Sequence, residues 1–262
     1  MRQKNQRKPA PVLAAGVEQD SVVPEDAVVP DETAELDAAP GEPDAEAAIE
    51  ELVAPQQSAF DRRFHEARIL ENEGDVAGAI ALYRELMLEN PSDIRVRNNL
   101  GCLYEKRGQP VQALEQFEAA RAIDPDNVAV LLNVGGALAT LGRFDVAERD
   151  LRQAQKLDPS RPDVYLQIGI MYFKRGLYDT AELELKRASD LDPANALAYY
   201  FRGEALNHLQ RVDEALEALE RAVDLQPGNS RAYYIMGILF DKKGLPQQAM
   251  AMYKKSREAA AR

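Results

Sequence analysis

Five prolines, Pro91, Pro125, Pro159, Pro193 and Pro227, stand 34 residues apart, and the positions between them recur with the same period. No other feature constrains the fold as strongly. A period of roughly 20–50 residues marks supersecondary units that cannot bury an apolar face alone and stack on their neighbours to do so. Twelve residues before each proline stands an alanine: Ala79, Ala113, Ala147, Ala181 and Ala215, a series that Ala249 continues. Twenty-four before each proline stands a small residue: Ala67, Gly101, Gly135, Gly169 and Gly203, then Gly237. Large residues follow three positions later, at Leu70, Tyr104, Leu138, Tyr172, Leu206 and Phe240, and a second large series runs Tyr83, Phe117, Leu151, Leu185, Leu219 and Tyr253.

Within each unit the apolar residues sit at i, i+3, i+4 and i+7, so each unit reads as two amphipathic helices, A and B. In the second unit, helix A is expected from about Ile94 to Lys106 and helix B from Pro110 to Ile123. Glycine between the two (Gly74, Gly108, Gly142, Gly176, Gly244) ends helix A and permits the turn. The fifth unit has Gln210 there, a departure expected to cost little. Small residues on facing positions let the two backbones approach, and proline then ends helix B. Asp93, Asn127, Asn195 and Asn229 follow two residues after a proline, placed to cap the next helix A.

This pattern resembles the tetratricopeptide repeat family. The fourth unit carries the family's signature as Tyr165, Ile168, Gly169, Tyr172, Gly176, Ala181, Leu185, Ala188 and Pro193. Six repeats follow, 60–93, 94–127, 128–161, 162–195, 196–229 and 230–262. The resemblance implies an all-α fold, a right-handed α-solenoid superhelix of six helix-turn-helix repeats, with helix A lining a concave groove. The first repeat departs most, with Arg63 and Glu66 where the pattern wants apolar residues, as expected of a cap facing solvent. The last repeat lacks its proline and any following helix, which leaves its end open to self-association.

Residues 1–58 obey different physics. They hold 13 acidic and 4 basic side chains, a net of −9 in a chain of net −12, with seven of the 15 prolines and no aromatic residue before Phe60. Such a segment cannot bury enough apolar surface to offset ordering entropy, so it reads as a disordered acidic tail. One island, Ala45–Ala54, puts Ile49, Leu52 and Val53 at helical spacing. It reads as a helical turn leading into the first repeat or as a docking segment. Arg2, Lys4, Arg7 and Lys8 precede a short stretch, Ala10 to Val17, in the order of a signal peptide. That stretch is mostly alanine and holds Pro11 and Gly16, so the location expected is cytoplasmic, with export as the lesser reading. No apolar run approaches the roughly 20 residues a membrane helix needs, so direct membrane insertion is not expected. The acidic balance also argues against nucleic acid, which requires a basic face.

The groove lining follows from the register. The sixth position of the second to fourth repeats is Asn99, Asn133 and Gln167, and a column of amides can both donate to and accept from an extended peptide backbone. The same column is common in the family without a ligand, so both readings stand. In the fourth to sixth repeats, Leu166, Ile170, Phe173, Leu197, Tyr200, Phe201, Tyr234, Ile235 and Ile238 fall at inward positions. That is more apolar surface than a solvated face carries, and it suits an amphipathic helix or apolar peptide unless some of these residues pack between repeats. A carboxylate clamp for a chaperone tail, another use the family makes of its groove, is not expected. Its frames read Phe64, Arg68, Asn99, Ala129, Asn133 and Asn98, Cys102, Asn133, Asp163, Gln167, without paired cations.

No chemistry is called for. His65 and His208 stand far apart with no second ligand at metal spacing, Cys102 is the single cysteine, and no phosphate-binding glycine loop occurs. The expectation is therefore a non-enzymatic scaffold or adapter for a protein or peptide partner, without cofactor or metal. Two alternatives are an accessory role in assembling bacterial cell-envelope components (pilus, polysaccharide or lipoprotein) and recruitment of substrates to a separate enzyme.

Overall fold

A computed structural model of the protein describes the backbone of residues 45–261 and side chains from Ala59 onward. Twelve helices make up the described residues, paired in sequence order, and they lie in the compact unit Ile49–Arg262 apart from the first few residues. The pairs are α1 (Ala45–Glu73) with α2 (Val76–Glu89), α3 (Ile94–Lys106) with α4 (Pro110–Ile123), and α5 (Val128–Thr140) with α6 (Phe144–Leu157). Then follow α7 (Pro162–Arg175) with α8 (Tyr178–Leu191), α9 (Ala196–His208) with α10 (Val212–Leu225), and α11 (Ser230–Lys242) with α12 (Pro246–Ala260). The second repeat's helices run from the first to the last residue expected of them. The acidic tail expected over 1–58 lies outside the described residues as far as residue 44. From Ala45 the backbone is helical and continuous with the first helix A, so the island at 45–54 belongs to α1.

The turn inside each repeat closes in one way. Two or three residues past the end of each helix A, a backbone N–H reaches back to a carbonyl five residues earlier, as in Gln109 to Tyr104 and Leu177 to Tyr172, both at 2.9 Å. The residue before that donor must take a left-handed backbone. Glycine supplies it five times, and Gln210 takes it at φ 60°. Since an L side chain is strained in that region, the departure at Gln210 carries a real cost, contrary to expectation.

Four helix A N-termini are capped as the sequence indicates. The side chains of Asp93, Asn127, Asn195 and Asn229 accept from the N–H groups of Val96, Val130, Ala198 and Ala232. Arg161 holds that place before α7 and makes no side-chain cap, but Pro162 at the first turn has no N–H to satisfy.

The recurring glycines do the packing work inside each repeat. A Cβ on Gly135, Gly169 or Gly203 would sit 2.5–2.6 Å from the Cγ of Leu151, Leu185 or Leu219, and one on Gly101 or Gly237 would sit 2.4 Å from the ring of Phe117 or Tyr253. Helix B drives a large residue against bare helix A backbone five times over. Neighbouring repeats join by helix B packing on the next helix A. In addition α3 touches α5, α5 touches α7, α7 touches α9 and α9 touches α11. Units that approach each other along the A side make that side the concave one.

Candidate functional site

The concave face is built by the A helices, and the sequence-predicted lining residues divide into three sets there. Leu166, Tyr200 and Ile235 are buried at 6–7% exposure and belong to the packed core. The Tyr200 hydroxyl donates to Glu204 Oε1 at 2.7 Å, and burial together with that carboxylate raises its pKa well above the ordinary phenol value. Ile170, Phe173, Phe201 and Ile238 are half-buried. Leu197 and Tyr234 are 43% and 53% exposed. The alternative that some inward apolar residues pack between repeats thus applies to three of the nine.

An aromatic group organises this region. The Phe173 ring meets Phe201 and Tyr178 edge-on at 5.6 Å, and Tyr178 stacks flat on His208 at 4.1 Å. Sequence register does not reveal the last pair, because Tyr178 lies on a B helix and meets His208, at an inward position of the next repeat, only across the α8–α9 junction. The signal available was a lone histidine within reach of aromatic helix ends.

The amide column is less regular than its spacing implies. Asn99 donates to the buried Tyr83 hydroxyl at 3.0 Å and so is tied to the preceding repeat. Asn133 instead donates to Asn98, the residue before Asn99, at 2.6 Å. Asn133 and Gln167 share a recess of about 230 Å³ with Glu105, Leu132, Gly136, Thr140, Ile170 and Lys174. A second recess on the same two amides is lined by Ala129, Leu132, Arg161 and Asp163. Asn99 lines a separate hollow with Phe64, Arg68 and Asn98. Desolvation raises the Glu105 carboxyl and lowers the Lys174 ammonium, whose Nζ donates to Thr140 Oγ1 at 2.8 Å. Between the two charges stands a strip of amide and hydroxyl groups. Such a strip can hold a backbone, but it presents no activated nucleophile. Burial and then the charge of Glu105 push the Cys102 thiol up to about 11, which leaves it protonated at neutral pH. Among the described residues no group of His, Cys, Asp and Glu side chains could hold a metal ion, and no helix is long and apolar enough to cross a membrane.

Antiparallel helix pairs in a row, with one helix of each pair forming a concave wall, define a helical-repeat solenoid. The profile of the Tetratricopeptide repeat family matches residues 98–162, 166–230 and 210–262, more than half of the chain. The chain belongs to that family. Comparison with curated proteins gives no significant match. Several solved structures share the fold. MamA from Desulfovibrio magneticus RS-1 is 25% identical, covers 64% of this chain and 95% of its own, and has a TM-score of 0.54. Pseudomonas aeruginosa pilF is 19% identical with a TM-score of 0.63, covering 76% of this chain and 90% of its own. The APC/C hetero-tetramer Cut9–Hcn1 aligns at 16% identity with a TM-score of 0.70, over 80% of this chain and 43% of that one.

Proposed function

We propose that the protein is a non-enzymatic scaffold that holds a partner segment in the concave face of repeats 4–6. The observation that carries this reading is the pair Leu197 and Tyr234, left exposed on the A helices beside half-buried Ile170, Phe173, Phe201 and Ile238. Single exposed apolar side chains are ordinary; a contiguous row along a concave wall marks an interaction site. The row lies on rigid helices, so a partner meets a preformed surface and little ordering entropy is lost in the protein on binding. The partner chemistry that fits is an apolar face, such as one side of an amphipathic helix laid into the groove.

The test is capture from native lysate with the full chain, compared with Leu197→Glu/Tyr234→Glu and with a control, Leu183→Glu, on α8. Leu183 is 67% exposed and outside the groove. Partners retained by the control and lost from the groove variant, at unchanged helicity, are expected. Identical partner sets for all three proteins would move the function off the concave face.

A further inference from the structure

Most charges on the concave face are answered by a neighbour. Arg95 meets Asp61, Lys106 meets Glu71, Arg161 meets Asp163 and Arg231 meets Glu204. Glu105 and Lys174 are left over. Both line the recess of about 230 Å³, and they attract each other across it without touching. Among the described residues neither forms an ion pair. Lys174 Nζ donates once, to Thr140 Oγ1, and Glu105 accepts no hydrogen bond.

The floor between them is bare. Glu105 stands on α3 and Lys174 on α7, and α5, which touches both helices, lies between. Its contribution here is Gly136, where the same register in the other repeats holds Arg68, Cys102, Ile170, Glu204 and Ile238. A Cβ on Gly136 would meet the Gln167 side chain, with Oε1 at 3.3 Å, and nothing else within 4 Å. Among the described residues the Gln167 carboxamide has no hydrogen-bond partner. Asn133 spends its nitrogen on Asn98 and leaves its oxygen free. A carboxylate, an ammonium and two amides therefore converge on exposed backbone, with Leu132 and Ile170 as apolar walls.

The pair of unlike charges selects the ligand. A lone cation or a lone anion would satisfy one of them and set a like charge beside the other. A neutral peptide group brings only partial charges to two full ones. The match is a molecule that carries an ammonium and a carboxylate close together. It must also be small, since pockets for drug-sized ligands run to roughly 300–1,000 Å³. We propose that this recess binds the zwitterion of a free amino acid, with its ammonium on Glu105, its carboxylate on Lys174 and Gln167, and its α-carbon over Gly136. A modest apolar side chain then lies against Leu132 and Ile170. The site is separate from the partner surface of repeats 4–6, with which it shares only Ile170.

Titration of the full chain with L-valine, followed by NMR, tests this. Saturable shifts are expected at the Gly136 N–H and the Gln167 side-chain amide. N-acetylvaline keeps only the carboxylate, valine methylamide only the ammonium, and N-acetylvaline methylamide neither. Each is expected to bind at least about tenfold more weakly than L-valine. Glu105→Gln and Lys174→Gln alter exposed side chains and should each weaken L-valine by a similar factor at unchanged helicity. Gly136→Leu fills the floor and should abolish binding. The absence of a saturable shift with L-valine overturns the proposal, as does an affinity unchanged in either charge variant. Equal binding of the doubly capped valine also overturns it, and would make the recess a seat for an extended backbone.

Discussion

The recurring glycine of helix A is set against a general preference of helices, and that makes it a sharp test at the residue scale. Gly→Ala inside a helix ordinarily stabilises by about 1 kcal/mol. At Gly169 the added methyl meets Leu185 Cγ at 2.5 Å and the Leu185 backbone nitrogen at 3.2 Å, and backbone cannot step aside as a flexible side chain can. Overpacking of this kind costs about 1–3 kcal/mol, so Gly169→Ala is expected to destabilise, a sign opposite to propensity that urea unfolding reads directly. Gln210 is the converse case. Its φ of 60° is strained for an L residue, by about 1–2 kcal/mol. Glycine there relieves the strain but enlarges the unfolded ensemble, which returns about 0.4–1 kcal/mol. Gln210→Gly should therefore raise stability by about 0.5–1 kcal/mol, and a melt at or below that of wild type would count against the strain argument. What is legible at this scale is the need for a small or left-handed residue. What is not legible is how a side chain settles once placed. Asn98 and Asn99 are adjacent amides of similar chemistry, yet one faces Asn133 and the other is held by Tyr83. Tyr200 occupies an inward position by register, but Glu204, one turn on, draws its hydroxyl into the core.

Element boundaries are the most legible part of the chain, because each is set by local chemistry rather than by distant packing. Proline stops helix B, glycine or Gln210 closes helix A, and an Asp or Asn before the next helix A satisfies an N–H that would otherwise lack a partner. Asn229 shows how local the control is. Its side chain accepts from the Ala232 N–H at 3.0 Å at the start of α11, the helix that carries Tyr234 and Ile238. Asn229→Ala should cost about 1 kcal/mol, read as a lower unfolding midpoint, while Asn229→Asp keeps the acceptor and most of the stability. Equal losses for both variants would show that the cap contributes little. The island at Ala45–Ala54, with Ile49, Leu52 and Val53 at helical spacing, lies on the helical backbone that leads into the first repeat, one of the two readings its sequence allows.

Across the whole molecule, a repeat stack holds together only as well as its weakest joint, because each unit touches mainly its neighbours. The buried apolar residues divide into two clusters. One runs from Phe60 to α9, where it takes Ala198 and Ala205, and the other runs from Tyr200 to Leu239. The division runs through α9, and at the joint beside it, between repeats 4 and 5, two facing positions are charged, the first of which is charged between repeats 3 and 4 as well, at Glu148. Glu182, 8% exposed, stands where Leu114 and Leu216 stand elsewhere, and Arg202 stands where Val134 and Ile168 do. Arg202 Nε lies 2.9 Å from Glu182 Oε1, and Arg211 approaches the same carboxylate at 3.6 Å. A pair this sheltered loses much of its Coulombic gain to desolvation. The joint should consequently be the first to part. In hydrogen exchange of the wild-type protein, α9 to α12 are expected to open together at lower free energy than α5 to α8. Arg202→Leu alone leaves Glu182 with the weaker partner and should lower stability. Glu182→Leu/Arg202→Leu replaces the pair with the apolar packing of the other joints, and exchanges of this kind are neutral to stabilising by roughly 1–4 kcal/mol. The double variant should then bring the protection of the two halves together and steepen the urea transition, since more surface is exposed in one step. Equal protection across the joint in the wild-type protein would locate the cooperative limit elsewhere. A double variant no more cooperative than Arg202→Leu would mean that the buried charge pair is not what divides the stack.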